Sequence, residues 1–169
     1  MNQPETTNQP EPSIDGLRLG DLLVAQGILT AAQVGHILDV QAVTPRPFGD
    51  LAERLFGIDP KLVAGAWVEQ FVGRNGPRDV SGEVCEARWL RRLDRRQAWQ
   101  FRMVPMRREA EGYLLIAADA RGLLRAVNFA SRAFPLAPSL VVSEEKSLQA
   151  LLMKHYPVPQ HLADFAFAR

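Results

Sequence analysis

The chain of 169 residues lacks several features that mark common protein classes. Its single cysteine, Cys85, cannot form an intramolecular disulfide and is too few for a zinc site. No apolar run approaches the roughly 20 residues that a membrane-spanning helix needs. The 20 Lys and Arg residues are balanced by 19 Asp and Glu residues, so the chain has no strong overall electrostatic field. This composition is typical of a soluble cytoplasmic protein without membrane insertion and without a general affinity for DNA.

Catalytic and metal-binding motifs are also absent. The sequence contains no Gly-x-x-x-x-Gly-Lys-[Ser/Thr] phosphate loop and no Gly-x-Ser-x-Gly nucleophile motif. The three histidines, His36, His155 and His161, are scattered without metal-ligand spacing. We therefore predict that the chain is not an enzyme and holds no metal.

What the sequence does contain is the same pattern written twice between residues 18 and 70. Residues 19–22 read Leu-Gly-Asp-Leu, and residues 48–51 read Phe-Gly-Asp-Leu, at an offset of 29 positions (48 − 19). A repeat of this kind indicates a supersecondary unit that buries its apolar face against its copy. The same offset relates Leu29 to Ile58, Val34 to Val63, Leu38 to Trp67 and Gln41 to Gln70.

Each copy is predicted to form a helix, a turn and a second helix. In the first copy, Thr30 and Gln33 have the spacing of a capping box at the start of the second helix. In the second copy, Asp59 is the predicted cap and Pro60 takes the first helical position, where a missing N–H costs nothing. The two capping chemistries differ, but they place the helix start at the same point of the repeat.

We predict an α+β protein in which a helical tandem-repeat subdomain precedes a small α+β subdomain. The second subdomain is expected to follow the order helix, strand, strand, helix, strand, helix. Its helices are predicted at 86–100, at 122–133 and from a Ser143 cap to His155, its strands at 101–106, 113–117 and 139–142, and its hairpin turn at 109–112. The predicted divisions are a disordered leader 1–16, the repeat 17–72, a linker 73–83 that starts with a loop at Gly73, the α+β part 84–156 and a tail 157–169.

The repeat resembles the N-terminal domain of MshE, a module of type II secretion and type IV pilus ATPases. The signature of that family is a motif led by Arg-Leu-Gly that occurs twice with a short spacer between the copies. Here residues 18–41 match the first motif, 42–46 the spacer and 47–70 the second motif. The strand-like segment 100–108 resembles the family's strand before its hairpin, so the resemblance covers residues 17–156. It implies a regulatory module without the ATPase part, and the polar leader favours a free-standing protein.

The resemblance also implies a ligand, because family members that keep both motifs bind cyclic di-GMP. That molecule is a two-fold symmetric ring with two phosphates and two guanines, so two copies of one motif suit its two halves. Arg18 would pair with phosphate or stack on guanine, and the backbone near Gly20 and Gly49 would approach phosphate. The implied binding residues are Arg18, Leu19, Gly20, Val34, Leu38, Gln41, Arg46, Phe48, Gly49, Val63, Trp67 and Gln70.

The second motif departs from the family pattern at three positions. Pro47 stands where the lead arginine is expected, with Arg46 beside it in the spacer; Phe48 replaces leucine, and Gly57 lies one position late. The competing hypothesis is therefore a protein-interaction adaptor that keeps the fold without binding nucleotide. Under either hypothesis the expected protein partner belongs to a secretion, pilus or polysaccharide system.

A basic cluster in the second half suggests a third hypothesis, binding of nucleic acid or of an acidic partner. Asp94 offsets part of its charge, and we interpret the cluster as one solvated helix face that carries apolar contacts on its other side. The cluster consists of Arg88, Arg91, Arg92, Arg95 and Arg96, with Trp89, Leu90, Leu93 and Trp99 as the apolar contacts.

Overall fold

A computed structural model describes residues 18–168 and shows an α+β protein. These residues divide into two compact units, the first ending at Arg74 and the second beginning at Asn75. The first unit contains only helices, and the second combines helices with one mixed sheet. The predicted leader, residues 1–16, lies outside the described part of the chain.

The first unit is built from the repeat, and each copy supplies two helices as predicted. Helix starts are related by the offset of 29: Leu19 corresponds to Phe48, and Ala31 corresponds to Pro60. The helices are α1 (Leu19–Ala25), α2 (Ala31–Val43), α3 (Phe48–Phe56) and α4 (Pro60–Asn75).

Local capping explains why the second helix of each copy starts where it does. The Thr30 hydroxyl accepts a hydrogen bond from the Gln33 backbone N–H at 3.2 Å, and the Gln33 side chain accepts one from the Thr30 N–H at 2.8 Å. This is the predicted capping box. In the other copy the Asp59 carboxylate accepts the Lys61 N–H at 2.9 Å, with Pro60 at the first helical position.

The two copies share one hydrophobic core. Leu23 and Ile37 of the first copy and Ala52 of the second are fully buried within the same cluster. Burying each copy's apolar face against the other is what a repeat of two short helical units requires for stability. The other buried members of the cluster are Leu22, Leu29, Leu51 and Ala66.

A close helix contact recurs in both copies and depends on glycine. A Cβ added to Gly20 would lie 3.0 Å from Val34 Cγ1 and 3.1 Å from Phe48 Cζ. A Cβ added to Gly49 would lie 2.7 Å from Val63 Cγ1. Because Val34 and Val63 occupy the same repeat position, the absence of a side chain at both glycines is a shared packing requirement.

Replacing Gly49 with alanine should destabilise the protein by about 1–3 kcal/mol, because the new methyl group overlaps the stiff side chain of Val63. The matched control is Gly65→Ala in α4, where an added Cβ meets no atom within 4 Å. That change should stabilise the protein by about 0.5–1 kcal/mol, since glycine is a poor residue for a helix interior. Urea unfolding of both variants measures the difference, and equal effects of the two changes would contradict the packing argument.

In the second unit, the described residues form a mixed sheet of order β1-β2-β3. Strands β1 and β2 form an antiparallel hairpin, whereas β2 and β3 are parallel and are joined through a helix. The strands are β1 (Met103–Arg108), β2 (Leu114–Asp119) and β3 (Pro138–Ser143). The helices are α5 (Ala87–Leu90), α6 (Arg95–Phe101), α7 (Leu123–Ala133), α8 (Glu145–His155) and α9 (Gln160–Phe167).

Several predicted boundaries of the second half are wrong. The single helix predicted at 86–100 is two short helices, because Asp94 caps a new one by accepting the Gln97 N–H at 2.7 Å. The loop predicted from Gly73 is helical up to Asn75, and Ser143 ends β3 while Glu144 is the N-cap of α8. The predicted strand 101–106 starts at 103, because the positive φ of its preceding residue ends α6 there.

The predicted linker and tail are also packed structure over much of their length. Arg78 pairs with β3 at Ser143, and the Val80 N–H donates to the Ser147 hydroxyl at 3.2 Å. Residues 160–167 form helix α9, in which Phe167 is buried. The prolines that suggested a tail instead separate α8 from α9, with Pro159 as the N-cap of α9.

Arg102 joins the sheet to α9 and is buried, with 4% of its surface exposed. Its Nε donates to Asp119 Oδ2 at 2.7 Å, its Nη2 contacts the same carboxylate, and its Nη1 donates to the Ala166 carbonyl at 2.9 Å. The guanidinium carbon also lies 4.0 Å from the centroid of the Phe167 ring. These partners satisfy a charge that would otherwise be costly to bury. The residue has a φ of 50°, a rare value outside glycine, so tertiary contacts hold it there.

Replacing Arg102 with methionine should lower the free energy of unfolding by about 3–5 kcal/mol, because it leaves the Asp119 carboxylate buried without its counter-ion. The matched control is Arg107→Met, which breaks the partly exposed pair with Glu83 and should cost about 1 kcal/mol or less. Chemical denaturation of both variants gives the comparison. Similar losses would mean that the buried pair is no more important than the surface pair.

Candidate ligand-binding site

The predicted lead residue of the first motif, Arg18, is exposed at the start of α1. Its backbone N–H donates to Asp21 Oδ2 at 3.0 Å, which ties the first turn of the helix. Among the residues that the structure describes, no carboxylate lies within ion-pair distance of the Arg18 guanidinium. Its charged group therefore faces solvent in a position to meet an anion.

The corresponding position of the second motif has a different arrangement, because Pro47 has no N–H to donate. Asp50, the repeat counterpart of Asp21, pairs instead with two arginines. Arg46 Nη1 lies 3.1 Å from Asp50 Oδ2, and Arg54 Nε lies 2.8 Å from Asp50 Oδ1. Asp50 and Arg54 have the four-residue spacing that places side chains next to each other along a helix, whereas Arg46 reaches Asp50 from the loop before α3. Two features account for the difference: Pro47 offers no N–H, and the arginines at 46 and 54 have no counterpart in the first copy, where Leu17 and Ala25 stand.

Gln41, a predicted site residue at the end of α2, holds the loop between the motifs. Its side-chain Nε2 donates to the Arg46 carbonyl at 2.7 Å, and the Arg46 N–H bonds to the Thr44 carbonyl at 2.7 Å. The backbone of Arg46 is thus fixed while 48% of its side chain stays exposed. The loop presents a guanidinium at the start of α3 even though Pro47 occupies the family position.

The predicted apolar residues differ in how far they reach the surface. Leu19, Val34 and Phe48 are half-buried and pack against the core of the first unit. Leu38 is 46% exposed, whereas Val63 is only 7% exposed and fills the space above Gly49. A bound molecule would reach the first four more readily than Val63.

The remaining predicted residues have partners within the protein. Trp67 stacks on Phe71, with ring centroids 5.4 Å apart and planes inclined by 30°. Gln70, one turn before the end of α4, is half-buried. The space next to Gly20 is filled by Val34 and Phe48, so the glycine serves the helix contact in this arrangement.

Sequence reasoning missed the role of Asp50 and did not single out Arg54. The signal was present, because an acid recurs at positions 21 and 50 of the repeat, and an arginine follows the second acid by four residues. The sequence does not show that Asp21 accepts a backbone N–H whereas Asp50 pairs with side chains. That difference follows from Pro47, which has no N–H, together with Arg46 and Arg54, which are absent from the first copy.

The ion pairs change the acidity of Asp50. The hydrogen bond from Arg54 is the largest cause that lowers the pKa of Asp50, and Arg46 lowers it further. Because the folded-state pKa is lowered, the stabilisation from these pairs is present above the unfolded pKa and is lost as pH falls through the folded value. The side chains are largely exposed, and salt will screen the pairs.

The pKa of the Asp50 carboxyl group should lie below the ordinary aspartate value near 3.9. Arg54→Ala should raise that pKa. The physical reason is that the variant removes the strongest hydrogen-bond donor to the charged form. Carbon-detected NMR titration of the wild type and the variant measures both values. A titration of Asp50 that is the same in both proteins would show that Arg54 does not hold the carboxylate in solution.

The basic cluster of the second unit does not form the single helix face that was predicted. Residues 91–94 form a turn between α5 and α6, so Arg88 lies on α5, Arg91 and Arg92 lie in the turn, and Arg95 and Arg96 lie on α6. Arg88 pairs with Glu86 at 2.6 Å and lies over the Trp89 ring, while Arg95 donates to the Pro157 carbonyl at 3.4 Å. These contacts use part of the charge within the unit.

An open groove of about 650 Å³ lies between α6 and α7 of the second unit. The stacked rings of Phe101 and Phe129, with centroids 4.2 Å apart, form part of its wall, and Arg125 and Arg132 lie on α7. The Arg132 Nε is already bonded to the Asn128 carbonyl at 3.0 Å. None of the predicted site residues lines this groove.

Metal sites and membrane-spanning helices are two further features to consider in residues 18–168. Within that range no group of three or more His, Cys, Asp or Glu side chains is arranged to hold a metal ion. No described helix is both long enough and apolar enough to cross a membrane.

Comparison with known proteins gives a similarity to a solved structure. No family model matches the chain, and no curated protein matches it. A solved structure of MshE with cdg is similar: the sequences are 26% identical, the match covers 83% of this chain and 99% of that chain, and the TM-score is 0.44.

Proposed function

We propose that the first unit binds cyclic di-GMP and that the chain is a non-catalytic regulatory module of the secretion-ATPase N-terminal type. The observation that carries this proposal is the repeat in three dimensions. Both copies have the same helix starts, the same glycine–valine contact and an exposed arginine near the start of their first helix. A pseudo-symmetric pair of cationic positions matches the chemistry of a symmetric ring with two phosphates.

In this proposal Arg18 and Arg46 supply the charge. A guanidinium can donate two parallel hydrogen bonds to one phosphate, or it can stack on a guanine ring. Leu38 and the half-buried Trp67 would supply apolar area for the bases. Gly20, Gly49 and Val63 would act indirectly, by setting the spacing of the helices that present these side chains.

The two copies are not expected to contribute equally to affinity. The Arg18 guanidinium has no carboxylate partner among the described residues, whereas Arg46 is paired with Asp50. The same pairing favours the second candidate function, a protein-interaction adaptor without nucleotide binding, because it satisfies the second cation internally. Under either function we propose a cytoplasmic location and a protein partner in a secretion, pilus or polysaccharide system, with the second unit as the part that presents the bound state.

Isothermal titration of the purified chain with cyclic di-GMP tests the function, with GTP and cyclic di-AMP as controls. We expect saturable binding of cyclic di-GMP alone. Arg18→Ala should weaken that binding about 10- to 100-fold, the loss expected for one charge-assisted contact to phosphate. The control Arg91→Ala removes an exposed arginine of the basic cluster and should leave the affinity within a factor of two.

Two results would contradict the proposal. Absence of binding to all three nucleotides would leave the adaptor as the function to pursue. Equal losses in the Arg18 and Arg91 variants, with a steep dependence on salt, would indicate general attraction of an anion to the basic surface.

A further inference from the structure

The acid at the same repeat position is used differently in the two motifs. Asp21 accepts the backbone N–H of Arg18 and leaves the guanidinium of that residue outside any ion pair with the described carboxylates. Asp50 has no such N–H available and accepts from the side chains of Arg46 and Arg54. The second motif therefore carries its own anion at the place where its cation would meet a ligand.

We propose that Asp50 is a built-in competitor for Arg46, so that binding of a phosphate-bearing ligand requires Arg46 to leave the Asp50 carboxylate. This inference rests on the proposed function and concerns the regulation of the same site. In the free protein Arg46 is held by Asp50; in the bound protein it contacts a ligand phosphate. Arg54 remains on Asp50 in both states and neutralises the carboxylate when Arg46 has moved.

The free energy needed to break the Arg46–Asp50 pair is small. The Arg46 and Asp50 side chains are 48% and 31% exposed, and a pair of that exposure contributes about 0–1 kcal/mol. A phosphate that accepts two hydrogen bonds from one guanidinium is a stronger partner than an exposed carboxylate. The Arg54 contact is also the shorter of the two, 2.8 Å against 3.1 Å, so Asp50 keeps its better partner.

Gln41 confines the movement to the side chain. Because its amide holds the Arg46 carbonyl at 2.7 Å, the backbone of the loop does not have to rearrange when the guanidinium changes partner. Because 48% of the Arg46 side chain is exposed, its guanidinium can leave Asp50 by rotation about side-chain bonds.

A double-mutant cycle measured by isothermal titration with cyclic di-GMP tests the competition. Asp50→Asn keeps the shape of the side chain and removes its charge, so it should raise the affinity about 3- to 10-fold, the equivalent of a surface ion pair. Arg46→Ala should lower the affinity, and in that background Asp50→Asn should have no effect. Arg54→Ala should lower the affinity several-fold, because Asp50 then keeps Arg46 as its only counter-ion.

Asp39→Asn is the matched control, since it removes one negative charge from an exposed position on α2 and should leave the affinity unchanged. The proposed competition is contradicted if the wild type binds cyclic di-GMP and Asp50→Asn does not raise the affinity. It is also contradicted if the gain in affinity persists in the Arg46→Ala background, or if Asp39→Asn gives the same gain. The proposed function fails in a distinguishable way: neither wild type nor Asp50→Asn then binds, and both inferences fall. If Asp50→Asn binds cyclic di-GMP and the wild type does not, Asp50 holds Arg46 tightly enough to prevent binding, which would support the proposed competition. Circular dichroism of each variant verifies that it is folded.

Discussion

The closeness of the helices within each copy of the repeat depends on two positions that have no side chain. Gly20 and Gly49 let a valine of the following helix pack where a Cβ would otherwise lie. Once that distance is set, the apolar faces of both copies meet in one core, and the polar ends of the helices are left at the surface. The candidate site is a consequence of this packing, because its side chains stand on the helix starts that the glycines bring together.

Pro47, together with Arg46 and Arg54, changes the electrostatics at the start of α3 without changing where the helix begins. Proline fixes φ and is compatible with the entry to a helix, so the helix start at Phe48 keeps the offset of the repeat. The same residue has no backbone N–H to donate, and the Asp50 carboxylate instead forms ion pairs with Arg46 and Arg54. The two motifs are thus alike in backbone and core but unlike in the charge that they offer to a ligand.

Sequence reasoning was most successful where the determinants are local. The capping box at Thr30 and the Asp59–Pro60 start lie within a few residues of the helices they begin, and both were predicted at the right place. It failed for α9, because prolines and polar residues gave the composition of a tail, and burial of Phe167 depends on Arg102, which lies far away along the chain.

The membership of the candidate site stays a prediction, and the contacts of its residues could not be predicted from the sequence. The motif pattern locates Arg18 and Gln41, and Arg46 lies in the spacer beside the second lead position, but the sequence alone does not reveal that Gln41 holds the backbone of Arg46. It also does not separate residues that a ligand can reach, such as Leu38, from residues like Val63 that are buried by the core. Those distinctions arise from packing between helices, which the periodicity of one segment does not contain.

The contacts of Arg102 determine how the second unit can come apart. Peeling α9 away would remove the Ala166 carbonyl and the Phe167 ring from Arg102 and expose buried apolar surface to water, so the first step of fraying has a free-energy cost. A helix at the edge of a domain usually opens independently of the rest, with a low free energy of opening. Here the hydrogen bond to Ala166 and the contact with Phe167 connect α9 to the Arg102–Asp119 pair beside the sheet, so we expect α9 to open together with β1 and β2.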